Sequence, residues 1–322
     1  MEQVDLFSSR EKTTLTVLSY GAGQDSKAIL VRLIHDKEFR KKYAPGDLLV
    51  VISATGDEHD ETYMEIRRSE RLCKDHGIPY FYVTPDMGYH SPSWQSLRHF
   101  YRTKTTIGSV AFSRTCTDRL KVTPFWKFME DYIAEKYGVV AGRKKGFYQF
   151  TAQHGKIRCL IGIASGEERR IADHSKNPNK WFRECVDVQY PLVDLGMDRK
   201  ACQEYIRNAG HIVPPPSNCI LCHFANLTEL EYVRRFEPES MAEWIQLERA
   251  KLDKYRHLDE APNGEEHNVG NKGARKIRNL GVFGVKSLPE KVEEARLKHM
   301  EWSDDQVREY RFSHGHCAAS KY

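Results

Sequence analysis

The sequence has no long hydrophobic run and little excess of charge of either sign. No apolar stretch approaches the roughly 18 residues that a membrane-spanning helix needs, and the N-terminal segment MEQVDLFSSREK lacks the apolar stretch of a signal peptide. These absences argue against a membrane protein and against export, so we expect a cytoplasmic protein with no membrane partner. The net charge of +5 is too small to indicate a nucleic-acid partner by itself.

Cysteine is scarce for a disulfide-stabilised protein, with eight residues in a chain of 322. In a reducing compartment, cysteines serve metal or redox chemistry more often than they form a disulfide framework. The length suits a large α/β domain with an added helical part. We expect Cys73, in a predicted helix, and Cys159, inside a predicted strand, to be core residues.

Two common phosphate-binding motifs are also missing. No Gly-Lys-Ser/Thr follows the glycine-containing turn at P-loop spacing, and no third glycine completes a dinucleotide fingerprint. The turn that is present is SYGAGQDS, Ser19 to Ser26, between the apolar strand TLTVL and a helix. The apolar residues of that helix recur at helical spacing, and we expect Lys27, Arg32 and Asp36 to point outward.

This turn has the features of an anion site. Gly21 and Gly23 allow close backbone approach, and free N–H groups at a helix N-terminus attract negative charge. Asp25 and Ser26 stand where an N-cap residue stands, so capping the helix is the simpler role for these two. On the residues alone, both interpretations stay open.

The apolar run Leu48 to Ser53 has the continuity of a strand buried on both faces of a parallel sheet. Ligands of open α/β sheets lie at the carboxyl ends of the strands. At the end of this run stand Thr55, Gly56, Asp57 and Glu58. Capping of the next helix by the acidic residues is the alternative.

A further apolar strand, Lys156 to Ile163, leads into ASGEERRI. Arg169 and Arg170 follow its carboxyl end, where two adjacent guanidinium groups can clamp a phosphate through forked hydrogen bonds. The start of a charged helix is the alternative.

The spacing C-x-x-C occurs at Cys219 and Cys222, in PPPSNCILCHF. The turn between such cysteines brings both sulfurs to one side, so that they can bind one metal ion or one cluster. A structural zinc site needs four protein ligands, and the adjacent His223 is an awkward candidate for one of them.

The turn SYGAGQDS resembles the SGGxDS pyrophosphate loop of the ATP-pyrophosphatase (PP-loop) and PAPS-reductase superfamily. Gly23, Asp25 and Ser26 match that loop, whereas Gly21 and Ala22 stand where Ser and Gly are usual. The resemblance implies a Rossmann-like (HUP) α/β fold: a parallel sheet with helices on both faces, and here a C-terminal helical extension. It also implies that ATP, bound with Mg²⁺, is cleaved between its α- and β-phosphates.

An Asp-Thr-Gly-like segment of the same superfamily recurs at the end of the second strand, with Ala54 in place of the Asp. Adenine and ribose pack there in the family. The nucleotide-binding residues that the resemblance implies are Ser19, Gly21, Ala22, Gly23, Gln24, Asp25, Ser26, Thr55, Gly56, Asp57, Glu58, Gly162 and Arg170.

The segment SRTCTDRLKVTPF, which contains Cys116 and Lys121, resembles the CCxxRKVxPL segment of sulfonucleotide reductases with one cysteine replaced by Thr. In those enzymes the cysteine pair and a C-x-x-C hold a 4Fe–4S cluster. The resemblance therefore implies cluster ligation by Cys116, Cys219 and Cys222. Three ligands leave one iron open to bind sulfide, as in cluster-dependent thiolases; Cys202 as a fourth ligand would close the cluster, and structural zinc is the alternative.

The C-terminal tail HGHCAASKY loosely resembles the ECGxH cysteine segment of PAPS reductases. Cys317 in this tail either carries sulfur, ligates the cluster or has no role. The catalytic residues that the resemblance implies are Asp25, Ser26, Lys121, Arg169 and Cys317.

Residues 1–225 are thus expected to form a PP-loop domain and 226–322 a helical extension. The first functional interpretation is an ATP pyrophosphatase and sulfurtransferase of the DNA phosphorothioation kind, as in the Dnd and Ssp systems. Its expected partners are DNA, a sulfur donor such as a cysteine desulfurase, and other subunits of the modification system. The alternatives are a PAPS or APS reductase and, in another class, a nucleotide- and cluster-binding sensor without turnover.

The strongest basic patch begins at the end of the Gly- and Asn-rich stretch 261–273 and continues just after it. It consists of Lys272, Arg275, Lys276 and Arg278. Such a patch can hold a nucleic-acid backbone, and an ordinary solvated surface is the alternative.

Charge reversal at Arg275, Lys276 and Arg278 is expected to weaken DNA binding and to flatten its salt dependence, because each phosphate contact releases counterions. Titrations of labelled DNA at several salt concentrations measure both quantities. An unchanged salt slope would assign the patch to ordinary surface.

Overall fold

The computed structural model describes residues 14–112, 115–258 and 279–314, and the backbone of 268–269 and 274–275. Its strands are β1 (Leu15–Ser19), β2 (Asp47–Ser53), β3 (Tyr80–Val83), β4 (Ile157–Ile161), β5 (Val186–Gln189), β6 (Asn268–Val269) and β7 (Ala274–Arg275). Its α-helices are α1 (Gln24–His35), α2 (Lys37–Tyr43), α3 (Asp60–Asp75), α4 (Leu97–Lys104), α5 (Thr123–Tyr137), α6 (Lys145–His154), α7 (Lys180–Cys185), α8 (Pro191–Asp194), α9 (Arg199–Asn208), α10 (Leu227–Phe236), α11 (Pro238–Lys254), α12 (Leu288–Lys298) and α13 (Asp304–His314). A π-helical segment, Thr117–Val122, runs directly into α5. Within the described ranges, no helix is both long and apolar enough to cross a membrane.

The first five strands form one parallel sheet in the order β3–β2–β1–β4–β5. In this register Leu18 of β1 pairs with Val50 of β2 on one side and with Leu160 of β4 on the other. The chain adds β2 and β3 on one side of β1 and then β4 and β5 on the other, so the strand order reverses between β1 and β4. Such a reversal opens a crevice at the carboxyl ends of the strands, which is where ligands bind. The turn after β1 leads into this crevice.

Helices cover both faces of the sheet. On one face, Leu15 and Val17 of β1 share a hydrophobic core with Phe128 and Met129 of α5. Alternate residues of a strand point to opposite faces, and on the other face the hydroxyl of Thr16 donates to the carbonyl of Tyr43 at the end of α2, at 3.3 Å. The predicted Rossmann-like α/β fold is confirmed.

The chain divides into two units, each built from separate segments. The first unit contains the chain up to Ala54 together with Glu61–Tyr89 and Val122–Ser217. The second contains Thr55–Asp60, His90–Lys121 and the chain from Asn218 onward. The predicted boundary at residue 225 differs from this division, because three segments of the predicted first domain, Thr55–Asp60, His90–Lys121 and residues 218–225, are grouped with the C-terminal part.

The second unit has a hydrophobic core of its own. Tyr101 of α4 and Trp244 of α11 are fully buried in it, beside Leu221 and Val282. Helix α10 packs against α11, α12 and α13, and it begins at Asn226, whose side chain accepts a hydrogen bond from the backbone N–H of Glu229 at 2.9 Å. The described part of the C-terminal region is therefore largely helical, as the sequence indicates.

Lys27 is buried, whereas the helical pattern led us to expect it on the outside. Its Nζ lies 2.9 Å from Oε1 of Glu65 and donates to the hydroxyl of Ser69 at 3.2 Å. The Tyr20 hydroxyl donates to the same carboxylate oxygen at 3.1 Å. The expectation failed because the charge of Lys27 is paired with a carboxylate on α3, so that the side chain is buried without an uncompensated charge.

These four residues, Tyr20, Lys27, Glu65 and Ser69, are called the Lys27 cluster below. Tyr20 precedes the glycine-containing turn and Lys27 follows it, while Glu65 and Ser69 are on α3. All four side chains are buried. The cluster therefore ties both ends of the turn to one helix of the first unit.

Removal of one charge from this cluster is expected to destabilise the protein strongly. Lys27→Met leaves the Glu65 carboxylate buried without its cation, and loss of one partner of a buried pair costs about 3–5 kcal/mol of unfolding free energy. Urea denaturation followed by circular dichroism measures the loss.

Two further variants make this test specific. Lys27→Met combined with Glu65→Leu removes both charges and should recover most of the lost stability. Lys200→Met removes an exposed lysine 3.9 Å from Glu204 and should change stability by less than about 1 kcal/mol. Equal effects of Lys27→Met and Lys200→Met would contradict the role given to the cluster.

Candidate functional site

The turn between β1 and α1, which we call the phosphate loop, is closed by hydrogen bonds of Ser26. The Gly21 backbone N–H donates to Ser26 Oγ at 3.2 Å, and Ser26 Oγ donates to the Gly23 carbonyl at 3.2 Å. The N-cap of α1 is Gly23, which supplies no side-chain cap. Asp25 and Ser26 lie inside the first turn, so the N-cap interpretation is wrong. The first-turn N–H groups have no side-chain cap, as an anion site at a helix N-terminus requires.

Ala22 holds an unusual backbone conformation in this loop. Its φ of 55° lies in the left-handed region, where a residue with a Cβ pays roughly 1–2 kcal/mol. The side chain is buried. Ala22 therefore holds a conformation that glycine would adopt freely, at an energetic cost to the loop.

Gly162, just after β4, approaches the phosphate loop closely. A Cβ at this position would lie 2.7 Å from the backbone nitrogen of Ser26 and 3.0 Å from the carbonyl carbon of Asp25. Real side chains do not come so near to backbone atoms, so only glycine allows this approach. Gly162 thus has a steric role at the predicted site, while its direct contact with a nucleotide stays a prediction.

Asp25 lies among charged groups that come from two later segments. Burial raises the pKa of its carboxyl group, Arg199 and Arg170 act against this rise, and Glu167 adds to it. One carboxylate oxygen, Oδ1, is buried and has no hydrogen-bond partner among the described residues. Such an oxygen suits a hard cation such as Mg²⁺.

Glu167 joins the two arginines. Arg199 donates to its Oε1 at 2.6 Å, and Arg170 forms a second ion pair with its Oε2. Burial raises the pKa of Glu167, but the two guanidinium groups outweigh burial and hold the pKa below its usual value. Arg169 is exposed on the same short turn as Arg170. The sequence analysis missed Arg199 because it lies at the start of α9, far along the chain from any phosphate motif.

Two predicted nucleotide residues of the first unit have clear structural roles. The Gln24 side chain donates to the Pro214 carbonyl at 3.0 Å and accepts from Gln203 at 3.1 Å. Ser19 ends β1, in register with Val51 and Ile161. Their contacts with a nucleotide stay predictions.

In the second unit, the loop after β2 pairs with the C-x-x-C segment. Glu58 and Cys219 form an antiparallel bridge, and the Ile220 N–H donates to the Asp57 carbonyl at 2.8 Å. The Cys219 thiol donates to Thr55 Oγ1 at 3.3 Å, and that hydroxyl donates to Glu58 Oε1 at 2.9 Å. The predicted nucleotide residues Thr55 and Glu58 are therefore direct neighbours of a predicted cluster ligand.

The rest of this loop is fixed to α4. The backbone N–H of Arg98 donates to Asp57 Oδ2 at 2.5 Å, and Arg98 Nε lies 3.0 Å from Oδ1. Gly56 has φ +74°, and a Cβ there would lie 2.4 Å from the Cβ of Ser96. Both oxygens of Asp57 are thus engaged by Arg98, and nucleotide binding by Gly56 and Asp57 stays a prediction.

Lys121, on the π-helical segment, is surrounded by acidic groups. Its Nζ lies 3.7 Å from Glu58 Oε1. Burial lowers the pKa of Lys121, but Glu58 and then Cys219, Cys222 and Cys116 outweigh burial and raise it. The same three cysteines, after burial, help to raise the pKa of Tyr101. The structure therefore brings the three predicted cluster ligands into shared surroundings around Lys121 and Tyr101.

The three thiols match an iron–sulfur cluster in donor type. Burial is the largest cause that raises the pKa of Cys116 and of Cys219, and positive charge close to the sulfurs, such as that of a cluster, would favour the thiolates. Among the described residues, no three His, Cys, Asp or Glu side chains are arranged to hold one metal ion. Cluster binding and the zinc alternative thus stay predictions.

The other cysteines have different surroundings. Cys73 and Cys159 are buried, as expected, and burial raises the pKa of each to about 12. Cys202 belongs to the first unit, where burial and then Asp25 raise its pKa to about 12. Its role as a fourth ligand stays a prediction. Cys317 lies outside the described residues, as do Lys272, Lys276, Arg278 and the side chain of Arg275.

A buried polar network holds the residue before Cys219. Arg311 of α13 donates through Nε to Glu229 Oε1 at 3.0 Å and through Nη2 to Asn218 Oδ1 at 3.1 Å. Asn218 Nδ2 in turn donates to Glu229 Oε1 at 2.7 Å, and His59 Nε2 lies 3.5 Å from that oxygen. The network fixes the start of the C-x-x-C segment. No local sequence pattern predicts this network.

Comparison with known proteins finds similar solved structures, one of which is described here by name. No family model and no curated protein match the sequence, while 13 chains of solved structures do match. One of them is the U34-tRNA thiolase NcsA from Methanococcus maripaludis with its 4Fe–4S cluster. It is 15% identical, with a TM-score of 0.36, over 86% of this chain and 83% of that chain. A similarity of this size assigns neither family nor function.

Substitution of Gly162 tests the close approach of β4 to the phosphate loop. Gly162→Ala places a methyl group 2.7 Å from a backbone nitrogen, and relief of such overpacking costs about 1–3 kcal/mol. We expect the affinity for Mg–ATP, measured by calorimetry, to fall about tenfold or more.

Ser165→Ala is the matched control for this test, since Ser165 lies on the same segment and bonds to Glu168. This variant should bind Mg–ATP like the wild type. Wild-type affinity in Gly162→Ala, with an unchanged melting temperature, would show that the loop does not depend on the glycine.

Proposed function

We propose that this protein is an ATP pyrophosphatase of the PP-loop kind that adenylates a substrate oxygen and supports its replacement by sulfur. The observation that carries the proposal is the phosphate loop at the strand-order reversal, with Asp25 beside Arg199 and Arg170. Uncapped N–H groups, two guanidinium groups and a carboxylate with a free oxygen suit a polyphosphate with its Mg²⁺.

In the first step the substrate oxygen attacks the α-phosphorus of ATP, and pyrophosphate leaves. The phosphate loop would bind the departing pyrophosphate through the first-turn N–H groups of α1. Asp25 would hold Mg²⁺ through Oδ1, and Arg170 and Arg199 would neutralise the charge that develops on the leaving group. Ser26 shapes the loop through its bonds to Gly21 and Gly23. The product is an adenylated substrate.

In the second step sulfur displaces AMP from that substrate. Cys116, Cys219 and Cys222 would hold a 4Fe–4S cluster, which when bound supplies an open iron that can carry sulfide. Lys121 keeps a positive charge beside these thiols and Glu58. In the proposed mechanism this ammonium group stabilises the negative charge of the incoming sulfur and of the departing AMP.

For the acceptor we propose a phosphate oxygen of DNA, as in phosphorothioation by the Dnd and Ssp systems. The support is the basic run around Arg275 in the sequence together with the cysteine set. A cysteine desulfurase would supply the sulfur, and other modification subunits would present the DNA, in the cytoplasm. Release of pyrophosphate from ATP supports this proposal, whereas release of sulfite from a sulfonucleotide would identify a reductase instead.

The nucleotide step depends on Asp25. Asp25→Ala is expected to abolish release of pyrophosphate from ATP while the fold stays intact, because the buried carboxylate oxygen Oδ1 has no hydrogen-bond partner to lose among the described residues. A coupled assay measures the release of pyrophosphate, and circular dichroism measures whether the fold is intact. A wild-type rate in this variant would remove the phosphate loop from the mechanism.

The sulfur step depends on the three cysteines. Protein purified without oxygen should be brown, with about four irons per chain. Replacement of Cys116, Cys219 or Cys222 by Ser should bleach it, since a hydroxyl is a poor ligand for cluster iron. ATP cleavage should largely survive these changes, and sulfur transfer should not.

The core cysteines provide the control for this experiment. Cys73→Ser and Cys159→Ser should leave the colour of the protein unchanged, because both thiols are packed among core residues. Colourless anaerobic protein with one zinc per chain would refute the cluster and the sulfur step. Sulfur-independent ATP pyrophosphatase activity would then remain as the function.

A further inference from the structure

The second unit contains a cavity of about 450 Å³ that none of the roles above uses. Its walls come from the first turn of α10, from α12 and α13, and from the segments that carry Val110, Phe224 and Phe283. We propose that this cavity binds one unstacked nucleotide of a single-stranded nucleic acid. The biological meaning of this inference rests on the proposed function. The inference adds that the nucleic-acid substrate binds as a single strand with one nucleotide unstacked.

The walls of the cavity suit a nucleobase. Three aromatic rings line it, those of Phe224, Phe283 and Tyr310. The Tyr310 ring is stacked on His314, with centroids 4.0 Å apart and planes 6° from parallel, and meets the Trp302 ring edge-on at 5.5 Å, so two neighbouring rings hold it in place in the wall. Stacking of a base on an aromatic ring is tolerant of sequence and contributes substantially to single-strand binding.

The rim of the cavity suits a phosphate backbone. Lys291 and Lys298 lie on it, two turns apart on α12. Lys291 shares the Glu294 carboxylate with Lys286, and within the described ranges no carboxylate is within ion-pair distance of Lys298. The excess of positive charge at this rim complements a phosphodiester on either side of a bound base.

The position of the cavity along the chain relates it to the cysteines. Phe224 follows Cys222 by two residues, and the N–H of Ala225 donates to the Cys222 carbonyl at 2.9 Å. Phe283, on another wall, comes shortly after the basic run that ends at Arg278. Two wall residues of the cavity are therefore close in sequence to a predicted sulfur site and to a predicted backbone-binding segment.

The size of the cavity selects a single nucleotide rather than a duplex. Pockets for small ligands measure about 300–1,000 Å³, and about 450 Å³ accommodates a base with its sugar. A paired and stacked base cannot enter such a space without leaving the helix. The expected ligand is thus a single strand, or a duplex opened at the modified position.

Fluorescence anisotropy with a short labelled oligonucleotide tests the proposal. We expect single-stranded DNA or RNA to bind more tightly than duplex DNA of the same sequence. Tyr310→Leu keeps an apolar side chain but removes the ring, and should weaken single-strand binding about fivefold to a hundredfold. Lys298→Gln, at an exposed position that is not needed for folding, should lower the salt slope by about 0.7.

Two control variants accompany these measurements. Phe112→Leu changes an exposed aromatic residue of the same unit that is not part of the cavity wall, and Lys200→Gln removes an exposed lysine of the first unit. Both should bind the single strand like the wild type. The relative affinities for the DNA and RNA strands then distinguish the two sources of the nucleotide.

Several outcomes would overturn the proposal. Equal affinity for single strand and duplex, absence of single-strand binding, or unchanged binding in both Tyr310→Leu and Lys298→Gln would each do so. The binding assay contains no ATP, and so it separates this inference from the proposed function. Loss of pyrophosphate release with intact single-strand binding contradicts only the latter.

Discussion

The buried contact between Lys27 and Glu65 is the constraint on which the first unit's site depends. A charge in a protein interior is costly unless it is paired, and here the pair is completed by Tyr20 and Ser69. Because Tyr20 and Lys27 stand on either side of the phosphate loop, the pair holds both ends of a turn whose own backbone is strained at Ala22. Lys27 is a structural residue, and the cations beside Asp25 are Arg170 and Arg199.

In the second unit, the main requirement is different: thiols have to be held close to one another without a disulfide. It uses backbone pairing between Glu58 and Cys219 on one side and the Asn218–Glu229–Arg311 network on the other. Burial raises the pKa of the Cys219 thiol, while Lys121 acts to lower it. Any group that brings positive charge to the three sulfurs favours the thiolate over the thiol. Formation of thiolates is the chemical condition for a cluster to assemble.

Local patterns in the sequence predicted four strands of the parallel sheet, the glycine-containing turn and the core positions of Cys73 and Cys159, because apolar periodicity and glycine placement are local properties; β5 was missed. The burial of Lys27 could not be predicted, since a lysine that is paired inside the protein has the same pattern as one in solvent. Arg199 and Arg311 were missed for a related reason: their carboxylate partners, Glu167 and Glu229, lie far away along the chain. The sequence also suggested that Asp57 is free for a ligand, but Arg98 occupies both of its oxygens. Which charges pair is decided by tertiary packing, and one sequence contains no direct record of it.

The interleaved composition of the two units has a consequence for how the protein is made. Residues Thr55–Asp60 and His90–Lys121 leave the ribosome long before Asn218 and the helices with which they share a core. At a synthesis rate of about 5–20 residues per second, these segments wait for seconds before the helices of their own core are made. The second unit, which contains Cys116, Cys219 and Cys222, therefore completes its core only after most of the chain has been made. No single cut in the chain can yield either unit as a continuous fragment.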